Sequence, residues 1–222
     1  MKIDKGDFLT FASIAHGLGI LPVDQRNTLE QCEIKPGIYR RHPKLTKDDS
    51  RSDISRDGYM GVLFQLVISN DTKRLDTIIS AIIRTRGKVG TWGKSDYINI
   101  WPLIFIFTAA RYGKWVPTPP IFVGPFSTGF RAHLATLLIH IERMIGKSGY
   151  SHIYTMQKLV IANPKNPWFY ALYCLVTVDH FSHGKFESLM SDIPDDDDAG
   201  TGWGSCPNRV LKGLAIHAKD LL

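Results

Sequence analysis

Residues 48–70 read DDSRSDISRDGYMGVLFQLVISN, and the two halves of this stretch differ in kind. The first is dense in Asp, Arg and Ser. The second, from Met60 to Ile68, is apolar at almost every position. A helix with no polar stripe has no face to turn toward water, so this segment predicts a helix buried all round. Ser55 stands where an N-cap is wanted, and Asp57 falls in the first turn, where the helix dipole favours a carboxylate. Gly58 and Gly61 lower helix propensity but let a neighbouring backbone come close. A polar loop feeding the N-terminus of a buried helix is therefore the unit from which the rest is read.

Downstream, Asn70-Asp71-Thr72 makes a turn and a new cap. The helix expected over Lys73–Thr85 carries one apolar stripe of Leu75, Ile78, Ile79 and Ile82, the pattern of an outer helix packed on the buried one. The alternation recurs. A second all-apolar helix is expected over Asn99–Arg111 and a third over Trp168–Val178. Amphipathic helices are expected over Thr128–Ile145, Ser151–Ala162 and Pro207–Leu222, with a weaker one at Lys185–Ser191. On the N-terminal side, 7–21 predicts a short helix, and 22–55 a long polar connection broken by Pro36, Gly37 and Pro43. No strand-like alternation and no repeat of fixed period is visible. The expectation is an all-α, single-domain protein over 1–222, built as an array of α/α hairpins.

Composition narrows the function classes. Of 222 residues, 44% are hydrophobic and 22% charged, the balance of an ordinary globular protein. The net charge is +6, and basic residues gather between Lys35 and Arg56 and again between Arg84 and Lys94, but no RNP, zinc-finger or helix-turn-helix pattern accompanies them. Cys32, Cys174 and Cys206 are far apart and form no CxxC pair, so structural zinc, a redox motif and a disulfide framework are not expected. Apolar runs such as Ile98–Ala110 fall short of the roughly 20 residues a membrane span needs. The N-terminus MKIDKGDFLTF does not read as a secretion signal, and the expected setting is cytoplasmic or virion-associated.

The segment SRDGYMGVLF resembles the SRDQ-type segment that opens an inner helix in α/α-toroid proteins of the six-hairpin glycosidase kind, with Gly58 where the glutamine stands. NPKNPWFYALY and WGSCPNRVL are similar to late inner-helix openings there. The chain is short for a full ring, so the resemblance implies a partial or open toroid. It also implies carbohydrate processing, with Asp or Glu as acid and base.

If successive inner helices run parallel, the loops before them share one rim. That rim would hold Asp53, Arg56 and Asp57, then Trp92, Asp96 and Tyr97, then Asn163, Asn166 and Trp168, and finally Trp203 and Asn208. Asp57, Asp53 and Asp96 are the candidate catalytic carboxyls: one protonates the leaving oxygen and another activates water or attacks. Arg56, Trp92, Tyr97, Asn166, Trp168, Trp203 and Asn208 are the candidate substrate contacts. Indole faces would hold a sugar, and the Arg56 fork would take a carboxylate. Each has a plainer reading as cap, loop solvation or packing.

Other clusters carry less. Asp195–Asp198 fails the EF-hand register and reads as a solvated acidic loop. His180, His183 and Glu187 have a spacing that can hold zinc, but Gly184 interrupts them. Cys206 reads as a buried thiol at a helix start, and His133 and His140 as surface or boundary residues. No metal and no cofactor is expected. The expected function is a glycoside hydrolase or lyase acting on a polysaccharide. The alternative is a non-catalytic binding or assembly module, such as a phage or bacterial accessory protein. The expected partner is accordingly a glycan or other polar ligand, or a protein. Nucleic acid is disfavoured, and no membrane is expected.

Overall fold

A computed structural model describes residues 8–21, 28–44, 54–89, 98–113, 116, 130–147, 152–195 and 206–222. The chain divides into two compact units, one within Asp4–Ile121 and one within Phe122–Leu222, the latter also taking in Met1–Ile3. Helices make up 69% of the described residues, so the helical class holds; a toroid arrangement is not shown.

The N-terminal unit is built on α3 (Arg56–Ser69), buried continuously from Asp57 to Leu66. Its start and stop follow local chemistry. The Ser55 side chain accepts from Gly58 N at 3.2 Å, and Asn70 closes the helix in the left-handed region at φ 51°. Helix α1 (Phe8–Gly17) lies against it at the glycines: a Cβ on Gly61 would stand 2.7 Å from Thr10 Cα. This is the close approach that the sequence allowed for. Helix α4 (Thr72–Arg84) is amphipathic as expected, burying Leu75, Ile78, Ala81 and Ile82 under the Asp71 N-cap.

Three expectations in this unit need correction. The connection over 22–55 contains α2 (Thr28–Cys32) and an antiparallel ribbon of β1 (Glu33–Lys35) and β2 (Ile38–Tyr39). A second ribbon pairs β3 (Lys88–Val89) with β4 (Ile98–Asn99). Strands of two or three residues are too short to show alternation. The all-apolar segment after β4 is a 3-10 turn, Trp101–Leu103, leading into α5 (Ile104–Tyr112). It buries only Leu103, Ile106, Phe107 and Ala109, leaves Trp101 and Tyr112 exposed, and packs on α4 along one side. Apolar composition there did not mean burial all round.

The C-terminal unit is centred on α8 (Pro167–Thr177), buried along nearly its whole length and packed by α6 (Phe130–Met144), α7 (Ile153–Ala162), α9 (His183–Ser191) and α10 (Asn208–Asp220). Asn166 caps α8, accepting from Phe169 N at 3.1 Å, and Pro167 takes the first helical position. Helix α6 is more deeply buried than its pattern suggests: Leu134 to Glu142 have almost no exposed surface, including Thr136, His140 and Glu142. Each of these polar groups has a partner inside, Thr136 on Ala132 O, His140 on Trp168 and His217, and Glu142 on His152. Pro207 caps α10 and is not its first residue.

Candidate functional site

The proposed rim falls in both units. Asp53, Trp92, Asp96, Tyr97 and Trp203 lie outside the described residues. In the N-terminal unit, Arg56 is exposed on the first turn of α3, while the neighbouring Asp57 is only 1% exposed. In the C-terminal unit, Trp168 has no exposed surface. Its Nε1–H donates to His140 Nδ1 at 3.0 Å, and its ring packs beside Phe169, so it acts as core in this unit. Asn208 is wholly buried on the first turn of α10, and Asn166 is 5% exposed at the α8 cap. Of the three candidate catalytic carboxyls only Asp57 lies among the described residues, and it is buried.

Among the described residues a cavity opens in each unit. In the N-terminal unit a cavity of about 550 Å³ lies between the β1–β2 ribbon and the start of α4, lined by Glu30, Glu33, Ile34, Lys35, Pro36, Asp71, Lys73, Arg74 and Thr77. Local structure fixes its walls. The ribbon turns at Gly37, at φ +76°, and a Cβ there would press on α4, 2.8 Å from Ala81 Cβ. Glu33 Oε1 accepts from Gly37 N at 2.8 Å and holds the turn. Tyr59 Oη donates to Gly37 O at 3.1 Å, and Arg84 Nη2 donates to Pro36 O at 3.2 Å. Across the cavity, Asp71 Oδ1 accepts from Arg74 N at 2.9 Å, and the Arg74 guanidinium reaches Glu30 at 3.8 Å and Asp71 at 3.9 Å.

Behind this wall Tyr39 is fully buried, and its hydroxyl has no hydrogen-bond partner among the described residues. Burial, then the Glu33 carboxylate, pushes its ionisation well above the usual phenol range, with Arg74 acting in the opposite sense. Cys32 is pushed up to about 12 by burial. The other two free cysteines are also buried, and burial of this kind holds a thiol in its less nucleophilic protonated form.

In the C-terminal unit a cavity of about 640 Å³ is lined by Asn163, Pro164, Lys165, Asn166, Asp192, Ile193 and Leu211. Deeper in this unit, His140 and His217 form a bonded imidazole pair, and both are held below the usual histidine range, chiefly by burial. No group of three metal-ligating side chains occurs among the described residues, and His180, His183 and Glu187 do not form one. Asp195 binds Lys212 at 2.5 Å, which lowers its pKa; the rest of that acidic run lies outside the described residues.

Comparison with known proteins gives no assignment: no family model, no curated protein and no solved structure matches the chain. No helix among the described residues is long and apolar enough to cross a membrane. The charged cavity was missed from sequence because its two walls were read as a loop and an outer helix. The one available signal was the opposition of Glu30 and Glu33 to Lys73 and Arg74 across two segments flanking the buried helix.

Proposed function

We propose that the chain is a binding module for a neutral, hydroxyl-rich ligand such as an oligosaccharide, held in the cavity between the β1–β2 ribbon and α4. The observation that carries this reading is the balance of charge around that cavity. Glu30, Glu33 and Asp71 face Lys35, Lys73 and Arg74 around one space. A simple anion or cation would meet as much repulsion as attraction there. A ligand bearing many hydroxyls can donate to the carboxylates and accept from the cations at once.

Two of the three carboxylates are already committed to structure, Glu33 to the ribbon turn and Asp71 to the α4 cap. That favours holding a ligand over reacting with one. Glycan cleavage is the second reading, supported by the presence of three carboxylates on one cavity.

The test is titration of the full chain with neutral oligosaccharides, followed by calorimetry and by release of reducing ends. Binding should be saturable and should weaken by about tenfold or more in Lys73→Met and Arg74→Met. Absence of saturable binding, or binding indifferent to both substitutions, overturns the reading. Turnover lost in Glu30→Gln would establish cleavage instead.

A further inference from the structure

The end of α4 and the β3–β4 ribbon carry a basic edge with one aromatic ring set into it. Local geometry fixes that arrangement. Gly87, at φ +73°, donates its N–H to Ile82 O at 2.7 Å and so closes α4. Its carbonyl accepts from Ile100 N at 2.7 Å, and a Cβ on Gly87 would stand 2.6 Å from Trp101 Cβ. Trp101 is therefore seated directly on the glycine, and Arg86 and Lys88 flank that seat along the chain. Asn99 faces Lys88 across the ribbon, and its Oδ1 accepts from Trp101 N at 3.0 Å, which steadies the backbone that carries the indole. Trp101 is 45% exposed, whereas Trp168 has no exposed surface. Arg84, Arg86 and Lys88 are exposed as well, and none of them makes an ion pair among the described residues. Three carboxylates of this unit are already taken, Asp76 by Arg111 at 2.8 Å and Glu30 and Asp71 by Arg74. Arg86 adds a second sign. Its backbone is left-handed at φ 53°, a conformation that favours Gly or Asn, and no described hydrogen bond or ion pair of its side chain explains an arginine there.

We infer that this edge binds single-stranded nucleic acid. A base stacks on the Trp101 indole, and the phosphates on its two sides meet Arg86 and Lys88, with Arg84 further along α4. An indole takes any base on its face, and unpaired cations beside it attract the backbone. The Arg86 fork suits the paired oxygens of a phosphate, which accept from it. A duplex keeps its base faces stacked on one another, so it can use the cations but not the ring. An acidic membrane would meet the same charges, but such binding also needs apolar side chains to bury. This edge offers it Ile83 and a half-covered indole. No sequence motif announces the site, because the ring and the cations lie well apart in the chain and meet only when the ribbon pairs. The edge uses none of the residues that line the charged cavity of this unit, so either reading can fail without the other.

The experiment is titration of a fluorescein-labelled oligothymidylate of about 12 nucleotides with the full chain, read by anisotropy at several salt concentrations. Binding should saturate below about 100 μM and weaken as salt rises, with a log–log slope of about −0.7 for each phosphate held. Trp101→Leu should weaken single-strand binding about tenfold without changing the salt slope, and Trp101→Phe, which keeps a ring, should restore most of it. A duplex of the same length should bind more weakly and should not respond to Trp101→Leu. Arg86→Asn suits the left-handed backbone and should fold with an unchanged or higher melting temperature. Combined with Lys88→Gln, it should weaken binding about tenfold and flatten the salt slope. No saturable binding, single-strand binding indifferent to Trp101→Leu, or a salt slope unchanged in the double variant overturns the assignment. Capture by phosphatidylserine vesicles without oligonucleotide binding would overturn it in favour of a membrane surface.

Discussion

His140 Nε2 and His217 Nδ1 lie 2.9 Å apart, and the other side of the His140 ring accepts from Trp168 Nε1 at 3.0 Å. Indole nitrogen can only donate, so His140 Nδ1 carries no proton and Nε2 does. His140 therefore donates to His217, and both rings are neutral in this chain of bonds. Protonating His217 would set two donors against each other beneath α8. Burial lowers both histidines from the ordinary value of 6.5, and each has a secondary influence: the neighbouring His217 lowers His140 further, while Asp220 opposes the shift at His217.

The consequence is acid lability with a definite sign. With folded pKa values below the unfolded value of 6.5, the unfolded chain binds more protons as pH falls beneath that point. Stability contributed by the neutral pair is complete above pH 6.5 and is lost as pH falls toward the folded values. The melting temperature should hardly respond to this pair above about pH 7.5 and should fall between about pH 6.5 and 5. In His217→Gln, whose amide oxygen can still accept from His140, the fall should be shallower. An identical slope in the variant would remove His217 from the account.

The contact of α1 with α3 depends on the absence of a side chain at Gly61. A Cβ there would lie 2.7 Å from Thr10 Cα, and backbone cannot turn aside as a side-chain tip can. Gly61→Ala should destabilise by about 1–3 kcal/mol or more through overpacking, although alanine is the better helix former. Gly184→Ala on α9 is the matched control, since nothing lies within 4 Å of the Cβ it would add. It should be neutral or stabilise by up to about 1 kcal/mol. Chemical denaturation of the pair measures both. Equal effects would mean that propensity, not close approach, governs Gly61.

Glu142 and His152 make a second buried pair, with Glu142 Oε2 and His152 Nε2 2.5 Å apart and each side chain about 5% exposed or less. The bond ties α6 to the residue that precedes α7. Glu142→Leu leaves the imidazole Nε2 without its partner and should cost about 1–3 kcal/mol. The double substitution Glu142→Leu with His152→Phe should recover part of that loss, because removing both polar partners is milder than orphaning one. A double variant as unstable as the sum of the singles would show that the two groups are not coupled.

These particulars show what could be read from sequence alone. Helix α3 was legible because ten consecutive residues, Asp57 to Leu66, are buried and its caps are local. Helix α8 was legible for the same reason, with Asn166-Pro167 marking its start. Helix α5 misled because an apolar run reports composition, whereas burial depends on which neighbours are present. His140 reads as a boundary residue in the sequence because Trp168 and His217, to which it bonds, are 28 and 77 residues away. Both cavities were hidden for a related reason: each joins segments from separate elements, and no periodicity within one element can reveal that. Asn163 and Asn166 were singled out as rim residues, and they do line a cavity, though one within the C-terminal unit.

Helix α8 ends on Val178, whose backbone is left-handed at φ 56° and whose side chain is 80% exposed. A β-branched residue is poorly suited to this region, where Cβ crowds the following carbonyl at a cost of about 1–2 kcal/mol. The side chain offsets little of that cost by packing, since most of it faces water. Glycine is the usual residue at this position because it has no Cβ to crowd. Val178→Gly should therefore stabilise the chain by about 0.5–1 kcal/mol after the entropy that glycine loses on folding is set against the relief. The check is the denaturant midpoint of the full chain beside Val178→Ala, which keeps the Cβ and should gain less than glycine does. A lower midpoint for the glycine variant would mean that Val178 makes a stabilising contact outweighing its backbone strain.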